Sequence, residues 1–205
     1  MVNIILTILF GRNRRASLGC SLLVLVIIGV VVGGVFIVGA IQLKQDQDKA
    51  LAQYGDSVLN LCNNLVPNSP VDASLAKGAS AKLTFIDAGN KTIRDAYFNA
   101  LSAGQQAKDK TDITGVVCVN ETSTVYNTDK YTDSAGTVKY TCVQYQKVAD
   151  VYLFDTKSSK LVAYQQFTGP VPPDCPDKTS ENTSRTGDSP AAADLTAWAI
   201  AGGAQ

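Results

Sequence analysis

Residues 113–154 read ITGVVCVNETSTVYNTDKYTDSAGTVKYTCVQYQKVADVYLF, and how this stretch pairs with itself decides the fold. Its two arms, Ile113–Tyr126 and Val138–Phe154, are dense in Val, Thr and Tyr. Branched and flat side chains of this kind suit a pleated surface. The connection between the arms carries Asp, Ser and Gly, which favour turns. The expectation is an antiparallel hairpin. Lys130 lies midway between Cys118 and Cys142, so a hairpin folded about Lys130 makes those two cysteines near neighbours. A bridge there closes a loop of about 24 residues and contributes on the order of 3 kcal/mol in the chain-entropy model. Cys62 and Cys175 then form the second pair, although four cysteines allow three connectivities.

Working outward from the hairpin, Lys82–Asp87 (KLTFID) reads as a strand closed by the turn Ala88-Gly89-Asn90. Thr92 and Asp95 resemble a capping box opening a short helix, with Ile93, Tyr97, Ala100 and Leu101 as its buried face. On the other side, Asp155–Lys160 reads as a turn and Leu161–Thr168 as a further strand. Residues 169–190 (GPVPPDCPDKTSENTSRTGDSP) are too proline-rich and polar to pack as an element, so a loop is expected there. Ser189-Pro190 then starts a last helix anchored by Leu195 and Trp198. Ahead of the first strand, Leu51, Tyr54, Val58, Leu61 and Leu65 recur three and four apart, a helical stripe able to pack on the sheet. The expected class is α+β: one domain whose mostly antiparallel sheet is covered on one side by helices and linked by disulfides.

Leu18–Leu43 (LGCSLLVLVIIGVVVGGVFIVGAIQL) carries no formal charge. As a helix it reaches roughly 39 Å at about 1.5 Å per residue, enough to cross the roughly 30 Å hydrocarbon core with tilt. Arg12, Arg14 and Arg15 precede it, and every Asp and Glu follows it. The positive-inside rule then leaves the amino terminus in the cytoplasm. The expected organisation is a cytoplasmic segment over 1–17, a transmembrane helix over 18–43, a juxtamembrane helix over 44–66 and an extracytoplasmic domain over 67–205. A rival reading is a secreted chain cleaved after a signal peptide, for example after Ala40. Gly29 and Gly33 form a G-x-x-x-G pair through which two membrane helices could associate into a homodimer.

The chain has 18 basic and 18 acidic residues; without the three leading arginines the remainder holds 15 against 18, a net of −3. That balance offers nothing to nucleic acid. Cys62, Cys118, Cys142 and Cys175 are an even set in an exported segment, which points to two disulfides. No C-x-x-C occurs and there is no histidine, which removes Ser-His and Cys-His nucleophiles and most catalytic zinc sites. No catalytic, cofactor or metal site is expected. Ser74-Leu75-Ala76-Lys77 matches S-x-x-K but lacks the companion motifs of penicillin-recognising enzymes. Asn127, Asp129 and Asp133 are oxygen donors without EF-hand spacing, and read as solvated turn residues. Asp150 and Asp155 read as an outward face and a turn. Asn90, Asn120 and Asn182 begin N-x-S/T triplets, which matter only in a eukaryotic host.

The passage VYLFDTKSSKLVAYQQFTGPVPPDCP carries a likeness in Asp155, Lys160, Leu161, Val162, Ala163, Phe167, Thr168, Gly169, Pro172, Pro173, Cys175 and Pro176. It resembles the "D-x-x-T/S-G/S-K-L-V-A, aromatic-T-G, P-P-x-C-P" ending of uncharacterised membrane-anchored or secreted bacterial domains. The resemblance implies export, a disulfide at Cys175 and an antiparallel sheet, and implies no activity. The functional expectation is a tethered, non-catalytic binding domain for an unknown protein or surface ligand. Its patch would be Tyr126, Tyr131, Tyr140 and Tyr145. The alternative is an accessory subunit assembling through its membrane helix.

Overall fold

The computed structural model describes residues 38–63, 65–66, 71–72 and 81–203. The chain divides into two units, Met1–Gln45 and Asp46–Gln205. Of the first, residues 38–45 are described and are helical. No helix among the described residues is long and apolar enough to cross a membrane. Residues 18–37 of the expected span, with Cys20, Gly29 and Gly33, lie outside the described residues, as do Ser74 and Lys77.

The second unit is organised by the expected hairpin, β2 (Gly115–Thr132) with β3 (Val138–Asp155). Its fold-back comes later than Lys130. Asp133 Oδ1 accepts from the backbone N–H groups of Ala135 and Thr137, both at 2.9 Å, and Gly136 supplies a positive φ of 79°. A short carboxylate and a glycine make the turn that this connection prefers. The shifted register sets Cys118 opposite Tyr152 and Cys142 opposite Asp129, so the two cysteines never meet.

The disulfides are therefore Cys62–Cys118 and Cys142–Cys175, which corrects both expected pairs. Spanning 56 and 33 residues, they contribute about 4 kcal/mol each in the chain-entropy model.

Around this hairpin the sheet is mixed. β1 (Leu83–Asp87) runs parallel to the start of β2, and β4 (Leu161–Thr168) runs antiparallel to the end of β3. A fifth strand, β5 (Thr183–Thr186), lies parallel to Cys142–Tyr145 of β3, inside the stretch expected to be a loop. Its own side chains are largely exposed. What holds it is the β3 backbone, the Cys142–Cys175 bridge, and Asn182 Oδ1 accepting from Thr141 N–H at 2.9 Å.

Helical segments cover both faces of the sheet's base, not one. Alternation along β2 sends Val117 and Val119 to one side, where they pack with Phe85, Leu153, Tyr97, Leu195 and Trp198. Tyr97 comes from the single turn α2 (Asp95–Phe98), and Leu195 and Trp198 from α3 (Ala192–Ile200). Val116 and Cys118 point the other way, into Tyr54, Val58, Leu59, Cys62, Ile86 and Tyr152. These side chains bury fully or nearly so, each contributing about 1.5–3 kcal/mol before entropy is counted.

On that second face the amphipathic stripe of residues 46–62 is helical but interrupted. Helical residues 46–54 end at Gly55, whose φ of 81° only glycine adopts cheaply. The helix α1 (Asp56–Leu59) and the 3₁₀ turn Asn60–Cys62 then carry the chain to the disulfide.

The expected capping box does not form. Thr92 is held in extended chain, its carbonyl accepting from Asp87 N–H at 2.8 Å, and α2 starts after Arg94 with no side-chain cap.

Candidate functional site

A cleft of about 630 Å³ opens between residues 87–97 and residues 188–192. One wall is fixed to β1 by backbone bonds, with Arg94 N–H donating to Phe85 O at 2.8 Å. The other is the entry to α3. Its chain is brought close by Gly169, whose N–H donates to Lys147 O at 2.8 Å. A side chain at position 169 would collide with the Asp188 carbonyl, so only glycine fits there.

A line of alternating charges starts at Asp87 and Arg94 in the cleft lining and continues through Glu121 and Lys147 behind it, back to Ser189. Arg94 Nε lies 3.2 Å from Asp87 Oδ2, and its Nη2 lies 3.3 Å from Glu121 Oε2. Glu121 Oε1 lies 3.0 Å from Lys147 Nζ, which donates to Ser189 Oγ at 3.2 Å. The Arg94 guanidinium sits 5.8 Å from the ring centre of Tyr97, within cation–π range. Burial by itself would raise the Glu121 carboxyl. Hydrogen bonds from Lys147 and Ser189 and the nearby charges of Arg94 and Lys147 outweigh it and hold that carboxyl below its usual range. Burial, reinforced by the Glu121 charge, raises the Tyr97 phenol.

A Ser189–Lys147 contact has the composition of a serine–lysine dyad, but Lys147 Nζ is also engaged by the Glu121 carboxylate at 3.0 Å. Thr92, Asn90, Ser189, Asp95 and Asp188 line the cleft with further hydrogen-bonding groups. Among the described residues no group of three His, Cys, Asp or Glu is placed to hold a metal ion.

The four tyrosines expected to form a patch are spread along the hairpin. Tyr131 lies opposite Tyr140, and the Tyr131 hydroxyl donates to Pro176 O at 2.5 Å. Tyr145 lies opposite Val125, beside the irregularity that contains Tyr126. Tyr126 and Tyr140 are exposed.

The oxygen donors of the hairpin are engaged locally. Asn127 Nδ2 donates to Asp129 Oδ1, and Asp133 also pairs with Lys139. Asp150 accepts from the Tyr164 hydroxyl at 2.8 Å, and burial together with that carboxylate pushes the Tyr164 phenol up to about 12. Asp155, expected in a turn, is buried there, and its Oδ2 accepts from the Ser158 N–H and hydroxyl, closing the β3–β4 turn.

Arg94, Glu121, Lys147 and Ser189 were not singled out from the sequence. One signal could have found two of them. With the turn placed at Asp133–Gly136, Lys147 falls opposite Ser123, diagonal to Glu121 on the same face, and that spacing alone predicts an ion pair. No family model, curated protein or solved structure matches this chain, so the likeness of its 155–176 ending to exported bacterial domains rests on those residues themselves.

Proposed function

We propose that this chain is an exported, membrane-tethered, non-catalytic binding domain that takes a small polar ligand in the Arg94–Ser189 cleft. The observation that carries the reading is the line of compensated charges that backs the cleft. Asp87, Arg94, Glu121 and Lys147 are each paired with a neighbour, while a volume in the range of ligand pockets stays open beside them. Two disulfides support an oxidising compartment outside the cytosol, and the apolar run Leu18–Leu43 supports the tether.

The test is a thermal-shift screen of sugars, amino acids and polyamines against the full-length chain in detergent. Any stabilising compound is then titrated against two variants. Ala191→Trp, at an exposed position lining the cleft, is expected to abolish the shift. Tyr126→Ala/Tyr140→Ala is expected to leave it. The reverse pattern would move the binding site to the hairpin and overturn the cleft assignment. A second reading, assembly as an accessory subunit through Gly29 and Gly33, is favoured by that pair's spacing. It predicts that Gly29→Ile/Gly33→Ile abolishes self-association in membranes.

A further inference from the structure

We propose that two copies of this chain join edge to edge through β2, antiparallel, in the register that sets Val125 of each copy opposite Tyr126 of the other. β1 accompanies β2 only as far as Val119, and Ala88 N–H reaches the Val119 carbonyl. From Asn120 to Thr132, β2 has β3 on one side and, among the described residues, no strand on the other. Such an edge offers a row of backbone donors and acceptors to another strand. Val125 and Tyr126 are 61% and 50% exposed at its middle, so the most apolar part of the edge is also its centre.

The irregularity between Val125 and Asn127 selects the register. Before it, odd-numbered residues share the face of Val117 and Val119. After it the alternation is reversed: Asn127 meets Gln144 and Tyr131 reaches Pro176 on the opposite face, which returns Thr128 and Lys130 to the face of Glu121 and Ser123. A two-fold axis perpendicular to the sheet keeps like faces together. A two-fold centred on the irregularity then pairs residues from before it with residues from after it.

With Val125 opposite Tyr126, Ser123 faces Thr128 and Glu121 faces Lys130 on one side of the joined sheet. Thr124 faces Asn127 and Thr122 faces Asp129 on the other. At both ends Lys130 of one copy comes beside the Glu121 carboxylate that Arg94 and Lys147 already hold in the other, polar side chains meet between, and the branched–aromatic pair sits at the centre. Lys130 and the irregularity would discourage indiscriminate strand addition. In this register they are accommodated.

The test uses the full-length chain in detergent with Thr124→Cys/Asn127→Cys under mild oxidation. Peptide mapping is expected to find the thiol introduced at position 124 of one molecule joined to the thiol introduced at position 127 of a second. Either single variant is expected to give no linkage, since like positions stand about 10 Å apart, three residues along the strand. Lys130→Glu sets like charges opposite each other twice and is expected to raise the dimer dissociation constant about tenfold. The double-variant linkage is expected to persist in a Gly29→Ile/Gly33→Ile background, which separates this contact from association through the leading apolar run. Linkage by a single variant, loss of linkage in that background, or a wild-type chain that is monomeric at every concentration measured would overturn the proposal.

Discussion

The base of the sheet and the far half of its hairpin are built from the same two strands, yet different forces hold them. At the base, Val116–Val119 of β2 and Val151–Leu153 of β3 are buried on both faces, under α2 and α3 on one side and residues 46–62 on the other. Beyond Thr122 the side chains of β2 are mostly exposed, and a polar strap covers part of β3 instead. The strap is fastened by Cys142–Cys175, by Gln144 Nε2 donating to Pro173 O at 2.9 Å, and by the Tyr131–Pro176 bond. Apolar burial stabilises the base; a covalent link and backbone ladders stabilise the arm. One continuous ladder need not mean one source of stability.

The sharpest contrast comes from the two bridges. Cys62→Ser/Cys118→Ser removes the tie between the 3₁₀ turn and β2 inside a packed core, and is expected to cost about 4 kcal/mol in global denaturant unfolding. Cys142→Ser/Cys175→Ser is expected to act locally: a released strap gains chain freedom in the folded protein as well as in the unfolded one, so most of the roughly 4 kcal/mol cancels. Amide exchange over Thr183–Thr186 should quicken about a hundredfold while the global midpoint moves little. Equal global losses from both changes would show that base and arm unfold as one unit.

Side-chain truncation tests the same division. Leu153→Ala, fully buried beside Val117 and Ala163, is expected to cost about 3 kcal/mol by urea titration. Glu121→Gln sits where base and arm meet. It keeps the shape but removes the carboxylate from Lys147 and leaves Arg94 with Asp87 alone, for an expected loss of about 1–2 kcal/mol near neutral pH. Because the folded-state carboxyl titrates below its usual range, its contribution is present above the unfolded value of about 4.3 and is lost as pH falls through the depressed one. The difference between wild type and Glu121→Gln should therefore shrink in acid. Val125→Ala, on the open edge, is expected to change monomer stability by less than about 0.5 kcal/mol.

What the sequence made legible follows the same line. β4 was readable to its end residues because a turn-rich stretch precedes it and proline follows it. The α3 anchors Leu195 and Trp198 were readable because a short helix has few ways to bury a tryptophan. β5 was not: TSRT carries no apolar pattern, and its order comes from β3 and a distant disulfide. Cysteine pairing is not legible from the midpoint between Cys118 and Cys142, because the Asp133–Gly136 turn sets the register. The cleft stayed hidden because Asp87, Arg94, Glu121, Lys147 and Ser189 come from separate stretches that only the folded register brings together.

Non-reducing peptide mapping of the full-length chain purified from its native compartment addresses the register and the export together. The account predicts two linked peptide pairs, Cys62 with Cys118 and Cys142 with Cys175. A Cys118–Cys142 peptide, or free thiols at these four positions, would contradict it.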